Sequence, residues 1–103
     1  MLSRIHHPRG SGPALVHVDA YRLATPAELD DLDLDATLAD SVTVIEWGTG
    51  LAEGLAASRL DIDIRRSGEA GDETRVVYLT GLGTRWHGVD LHRLAGPATQ
   101  EAM

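Results

Sequence analysis

Two apolar segments that each carry a carboxylate near their end constrain the fold most strongly. The first, Ala14–Tyr21, contains Asp19, and the second, Val42–Trp47, contains Glu46. Their leucine, isoleucine and valine content predicts β-strands. The apolar run in Val42–Trp47 is continuous, which is typical of a strand that is covered on both faces.

A helix start lies between these two strands. Thr25 is placed to cap the helix, Pro26 occupies its first position, and Glu28 occupies the capping-box position. The helix is predicted to run to about Leu32, and a second short helix is predicted over residues 35–40. The order strand, helix, strand indicates an α/β fold.

The later part of the chain predicts an antiparallel β-hairpin. Leu60–Arg65 alternates apolar and charged residues, as expected of a strand with one solvated face, and Thr74–Thr80 is a second strand after a polar, glycine-containing loop. A last helical turn or two is predicted over Val89–Leu94, and residues 96–103 are predicted to be a flexible tail. The predicted fold is α/β, ending in a hairpin.

Composition excludes several classes of function. The net charge of −7 leaves no basic surface for binding nucleic acid directly, and the absence of cysteine removes thiol chemistry. All nine basic residues are arginine, so the chain has no lysine to grip a phosphate. No apolar run is long enough to cross a bilayer and no signal peptide is visible, so a cytoplasmic protein is expected.

The strand-end acids Asp19 and Glu46 are the first candidates for a functional site. In open α/β sheets, ligands bind at the carboxyl ends of the strands, where two carboxylates could hold a divalent cation or polarise a water molecule. Alternatively, both are solvated strand ends. His17 shares a face with Asp19, either as a metal ligand or as a histidine that is hydrogen-bonded within the fold. Trp47 could pack in the core or lie against a base or ribose.

Two of these segments together resemble the TsaE family. The first is HVDAYRL (His17–Leu23) and the second is VTVIEW (Val42–Trp47), with Glu46 following Asp19 by 27 residues (46 − 19). The LDIDI and RVVYLTG strands fit the later part of the same pattern. TsaE proteins are small bacterial P-loop ATPases required for threonylcarbamoyladenosine in tRNAs that read codons beginning with A.

The resemblance implies specific roles for the site residues. Asp19 would orient Mg²⁺ and its water shell, Glu46 would position a metal-bound or attacking water, and Trp47 would lie beside the nucleotide. It further implies ATP or ADP and Mg²⁺ as cofactors and TsaB- and TsaD-like proteins as partners, with tRNA contacted only indirectly and neither DNA nor membrane involved. Residues 1–95 would then be the C-terminal portion of a single TsaE-like ATPase domain.

The chain departs from the family pattern in two ways. The strand, the Gly-Lys-Thr phosphate loop and the helix with which family members begin do not occur in it, so the sheet is expected to be incomplete, with an open edge and exposed apolar surface. Gly48 also stands where the family usually has proline. We therefore expect weak ATP binding and negligible hydrolysis by the chain alone.

Two alternatives to the ATPase remain at this stage. One is a non-enzymatic interaction module that docks to a TsaB/TsaD-like complex. The other is an unrelated metal-dependent hydrolase that uses His17, Asp19 and Glu46.

Overall fold

The computed structural model describes residues 3–95, which divide into two compact units between Leu55 and Ala56. The first unit contains β1 (Ser3–His6), β2 (Ala14–Asp19), α1 (Pro26–Asp30), a 3₁₀ helix (Leu34–Ala36) and β3 (Ser41–Glu46). The second contains β4 (Arg59–Arg66), β5 (Arg75–Leu82), a 3₁₀ helix (Thr84–Trp86) and α2 (Leu91–Ala95). The mixed α/β class is confirmed, and the predicted tail over residues 96–103 lies outside the described residues.

The sheet of the first unit has the strand order β1-β2-β3. β2 and β3 are parallel, in a register that runs from Ala14 opposite Ser41 to Asp19 opposite Glu46, which confirms the predicted strand–helix–strand arrangement. β1 is antiparallel to β2. The sequence did not predict β1, because its four residues, SRIH, contain a single β-branched side chain and no apolar alternation.

The core of the first unit lies on one face of this sheet. Val16 and Val18 of β2 are buried against Leu29 of α1 and Leu34 of the 3₁₀ helix. The hydroxyl of Thr25 accepts the backbone N–H of Glu28, so α1 begins at the predicted cap. Partly buried side chains pack around this cluster: Leu23, Leu32, Ile45, Leu51, Ala52 and Leu55.

The opposite face of the sheet is open to solvent. The prediction that Val42–Trp47 is covered on both faces is wrong, because side chains along β3 alternate between half-buried and exposed. Val42 is 51% exposed, Val44 is 44% exposed, and Leu15 beside them on β2 is 40% exposed. The run of β-branched residues reflects strand propensity, and propensity alone does not say how many faces are covered.

The second predicted helix, over residues 35–40, is also wrong. A single 3₁₀ turn over Leu34–Ala36 takes its place. The hydroxyl of Thr37 donates to the carbonyl of Leu34 at 3.2 Å, and Asp33 has a left-handed backbone with φ 54°. Short polar side chains that bond to nearby backbone in this way compete with helix propagation.

The second unit is built on the predicted antiparallel hairpin. β4 and β5 pair from Arg59 opposite Leu82 to Arg66 opposite Arg75, which confirms the hairpin. Its two faces differ: one carries the apolar residues Leu60, Ile62, Ile64, Val77 and Leu79, and the other carries Asp61, Asp63, Arg65, Tyr78 and Thr80. Among residues 3–95, no helix is both long and apolar enough to span a membrane.

Candidate functional site

The structure brings the two strand-end acids together. Asp19 and Glu46 are register partners on the parallel strands β2 and β3, and each is the last residue of its strand. Neighbouring strands lie about 4.8 Å apart, and residues opposite each other project from the same face. The two carboxylates therefore lie at the carboxyl-terminal ends of the two strands and project from the same face of the sheet.

The Asp19 carboxylate is fixed through one oxygen. Its Oδ1 accepts the backbone N–H of Tyr21 at 3.0 Å, which closes a tight turn just after β2. The next backbone N–H, that of Ala20, donates to the carbonyl of Glu46 at 2.9 Å and ties this turn to the end of β3. Within the described part of the chain, no hydrogen bond is seen to Oδ2, so this oxygen is available to a ligand.

The Glu46 carboxylate is held by His17. The distance between His17 Nε2 and Glu46 Oε2 is 2.7 Å. An ionised carboxylate only accepts hydrogen bonds, so the imidazole must donate from Nε2. The interpretation of His17 as a histidine hydrogen-bonded within the fold is thus confirmed.

Trp47 is not a core residue, so that interpretation of the sequence is wrong. Its side chain is 68% exposed, and its backbone has φ 62°, in the left-handed region. A positive φ is uncommon for a bulky residue. Backbone strain of this kind clusters at functional sites.

Tyr21 joins the site as the partner of Trp47. The two rings meet edge to face, with centroids 5.2 Å apart and planes at 65°. Tyr21 is 67% exposed, so the pair forms an aromatic surface at the strand ends. Sequence reasoning assigned no role to Tyr21; its position two residues after Asp19, at the end of a strand parallel to β3, was the available signal.

Gly48 allows the tight turn that follows Trp47. Its carbonyl accepts the N–H groups of Leu51 and Ala52, both at 2.8 Å. A Cβ atom at position 48 would lie 3.1 Å from Cγ2 of Ile45 and 3.2 Å from Cβ of Ala52, closer than ordinary van der Waals contact. The glycine at position 48 therefore accompanies close packing of the loop against β3.

The donor set fits magnesium together with a phosphate ligand. Asp19 and Glu46 offer oxygen atoms, which Mg²⁺ prefers, and Mg²⁺ is commonly held by one or two carboxylates plus phosphates and waters. Within residues 3–95, no group of three His, Cys, Asp or Glu side chains is placed to hold a metal ion.

A known protein family matches the part of the chain that contains this candidate site. The family model "Threonylcarbamoyl adenosine biosynthesis protein TsaE" matches residues 1–77, which is most of the 103-residue chain. The chain belongs to the TsaE family. The match includes the strand-end acids and both aromatic residues of the site, and it ends within β5.

Several curated TsaE proteins are similar to the chain, each named "tRNA threonylcarbamoyladenosine biosynthesis protein TsaE". The protein from Streptomyces coelicolor is 51% identical over 98 residues, which cover 93% of this chain and 66% of the relative. That from Mycobacterium leprae is 53% identical over 73 residues, covering 64% and 45%. That from Bacillus subtilis is 37% identical over 73 residues, covering 70% and 43%.

The chain thus spans just under two thirds of the Streptomyces TsaE and less than half of the other two. It does not carry a lysine anywhere. The candidate site formed by the strand-end acids and the two aromatic residues therefore contains no lysine that could bind phosphates.

Proposed function

We propose that this chain carries the magnesium-facing edge of a TsaE ATPase that acts in the threonylcarbamoyladenosine modification of tRNA. One observation carries the proposal: Asp19 and Glu46 end two parallel strands in register, inside the segment that matches the family. Residues 1–95 would be the C-terminal portion of a single ATPase domain. The names of the relatives support the pathway, and the strand-end geometry supports the chemistry.

Each residue of the edge has a proposed role. Asp19 would accept hydrogen bonds from the water shell of Mg²⁺ through Oδ2, since Oδ1 is occupied by the N–H of Tyr21. Glu46 would orient a water molecule through Oε1, since Oε2 is bonded to His17. Mg²⁺, when bound with ATP or ADP, neutralises charge on the phosphates. Trp47, exposed beside Glu46, would lie against the nucleotide.

The chain alone should bind ATP weakly and hydrolyse it negligibly. Positioning and charge neutralisation supply most of the catalysis in phosphoryl transfer, and P-loop enzymes obtain much of both from the glycine-rich loop and its lysine. The chain has no lysine, and its two acids lie at an open edge, where Glu46 has a side chain 56% exposed. Where no group binds the phosphates, two carboxylates repel the triphosphate unless Mg²⁺ lies between the carboxylates and the phosphates.

Calorimetric titration of the 103-residue chain with ATP and Mg²⁺ tests this account. We expect affinity in the millimolar range at best, with Asp19→Asn and Glu46→Gln weakening it further. Asp40→Asn is the matched control, because Asp40 is an exposed acid in the same unit that belongs to no part of the site. Micromolar affinity for ATP in the unchanged chain would contradict the proposal, as would equal effects of all three substitutions.

The proposed partners are TsaB- and TsaD-like proteins of the cytoplasm, with tRNA reached only through them. The net charge of −7 disfavours direct contact with a nucleic-acid backbone and agrees with an indirect role. Pull-down of purified TsaB- and TsaD-like proteins, with and without ATP, tests this. We expect capture that does not depend on ATP, as in the non-enzymatic interaction module. Failure of capture under both conditions would contradict the partner assignment.

A further inference from the structure

His17 makes a hydrogen bond that links the two strands of the site. Its Nε2 lies 2.7 Å from Oε2 of Glu46, a short distance for a nitrogen donor and typical of a bond to a charged acceptor. Both side chains are partly solvated, with 42% of His17 and 56% of Glu46 exposed. The bond thus forms although water competes for both partners.

Strand geometry explains why this histidine can reach this glutamate. His17 is opposite Val44 in the parallel register, and Glu46 is two residues beyond Val44 on the same face of β3. His17 therefore reaches diagonally across the strand pair. The nearby positions on this face, Leu15, Val42 and Val44, are apolar and provide no donor for the glutamate.

We infer that His17 is a positioning residue that donates its Nε2 hydrogen to Oε2 of Glu46 and so orients the Glu46 carboxylate, leaving Oε1 for the ligand. The inference deepens the proposed function and rests on it for the identity of that ligand. A glutamate at a strand end has several rotatable bonds, and an exposed one samples many orientations. A donor fixed on the neighbouring strand restricts that sampling before any ligand arrives, as outer partners do at metal sites.

The hydrogen bond itself can be tested in the free chain by NMR. Long-range ¹H–¹⁵N spectra of the histidine rings, recorded at mildly alkaline pH, report which ring nitrogen carries the proton. We expect His17 to be protonated at Nε2 and its ring nitrogen shifts to change in Glu46→Gln. Asp19→Asn, which alters the other acid of the edge, should leave them unchanged. A His17 ring protonated at Nδ1, or one insensitive to Glu46→Gln, would overturn the inference.

The effect on Glu46 can be tested with Mg²⁺ alone as the probe. Magnesium prefers oxygen ligands, so a direct bond to the imidazole does not confuse the result. Mg²⁺ binding can be monitored by NMR, because the backbone amide chemical shifts of Ala20 and Trp47 should change as Mg²⁺ is added. We expect His17→Phe to weaken Mg²⁺ binding by about tenfold, at the low end for loss of an outer partner. His17→Gln, whose side-chain amide provides an N–H donor, should restore most of it.

The two experiments separate this inference from the proposed function. Equal Mg²⁺ affinity in His17→Phe and the unchanged chain would overturn the positioning role, as would failure of His17→Gln to restore binding. If Mg²⁺ does not bind the unchanged chain even with ATP, the proposed function fails. The NMR signature in the free chain then decides whether His17 still orients Glu46.

Discussion

Tyr21 and Trp47 meet edge to face just beyond the ends of β2 and β3, with their ring centroids 5.2 Å apart. The contact joins the turn that follows Asp19 to the corner that follows Glu46. Both rings remain largely exposed, so burial contributes little to holding them in place. The aromatic contact and the hydrogen bond between His17 and Glu46 together hold one strand end against the other.

Replacing Tyr21 by leucine should make the indole of Trp47 more mobile and more accessible to solvent. An aromatic pair contributes about 0.5–1.5 kcal/mol beyond its buried area, and this exposed pair should lie at the low end of that range. Acrylamide quenching of Trp47 fluorescence, in a Trp86→Phe background, should therefore increase. Tyr78→Leu in the second unit is the matched control and should leave the quenching unchanged. Equal quenching in both variants would show that the contact does not restrain Trp47.

Leu29→Ala should be the most damaging single truncation in the first unit. Leu29 is 1% exposed and connects α1 to the buried face of β2. Loss of a buried leucine typically costs about 2–5 kcal/mol, which is a large part of the stability of a small unit. Urea unfolding followed by circular dichroism measures the change. Leu94→Ala, at a position 61% exposed, should shift the midpoint little; similar shifts would contradict the assigned core.

Gly83→Ala should destabilise the second unit more than Gly88→Ala. Both glycines have positive φ, 95° and 75°, which costs an alanine about 1–2 kcal/mol. At Gly83 a new Cβ would also lie 2.5 Å from the carbonyl oxygen of Ala57, whereas at Gly88 nothing lies within 4 Å. In thermal unfolding, the midpoint temperature of Gly83→Ala should therefore be clearly lower than that of Gly88→Ala. Equal midpoints would mean that the backbone near residue 57 moves aside without cost.

Thr74→Val should raise the pKa of Asp72 in the hairpin loop. Hydrogen bonds from Thr74, and then one from Ser67, lower the pKa of this carboxyl below its usual value. A lowered pKa in the folded state means that the carboxylate stabilises the loop at pH values above the unfolded pKa, and this contribution is lost as the pH falls through the folded pKa. Valine keeps the backbone N–H, which lies 2.9 Å from Oδ1 of Asp72, and removes only the hydroxyl.

A carboxyl ¹³C titration by NMR measures this pKa directly. The Asp72 carboxyl should titrate at higher pH in Thr74→Val than in the unchanged chain, while Thr80→Val on β5 should have no effect. An unchanged Asp72 pKa in Thr74→Val would mean that the Thr74 hydroxyl contributes nothing to the shift.

Much of the site could be predicted because it depends on chain order. Two strands joined through one helix usually lie parallel in the same sheet, so Asp19 and Glu46, each at the end of its strand, were expected at the same end of the sheet. The cap at Thr25 and the alternation over Leu60–Arg65 likewise depend on residues close together in sequence, and the structure confirms both elements. Whether those acids hold a metal stays a prediction.

The missed features depend on tertiary context. For Trp47 the sequence pattern left both a core position and a contact with a base or ribose open, because sequence periodicity does not report its positive φ or the exposure of its indole. The exposed apolar surface was expected from the family segments that do not occur in the chain, but the strand pattern alone could not show that Val42 and Val44 carry it. β-branched side chains favour strands whether one face or two are covered.

The parallel pairing of β2 with β3 also affects the order of folding. The first pair in that ladder, Ala14 and Ser41, is separated by 27 residues along the chain (41 − 14), whereas Arg66 and Arg75 in the hairpin are separated by nine (75 − 66). Closing the longer loop costs about 1 kcal/mol more in chain entropy. Non-local pairing also slows folding. The hairpin should therefore form first, and the edge with Asp19 and Glu46 should be assembled in the slower phase of refolding.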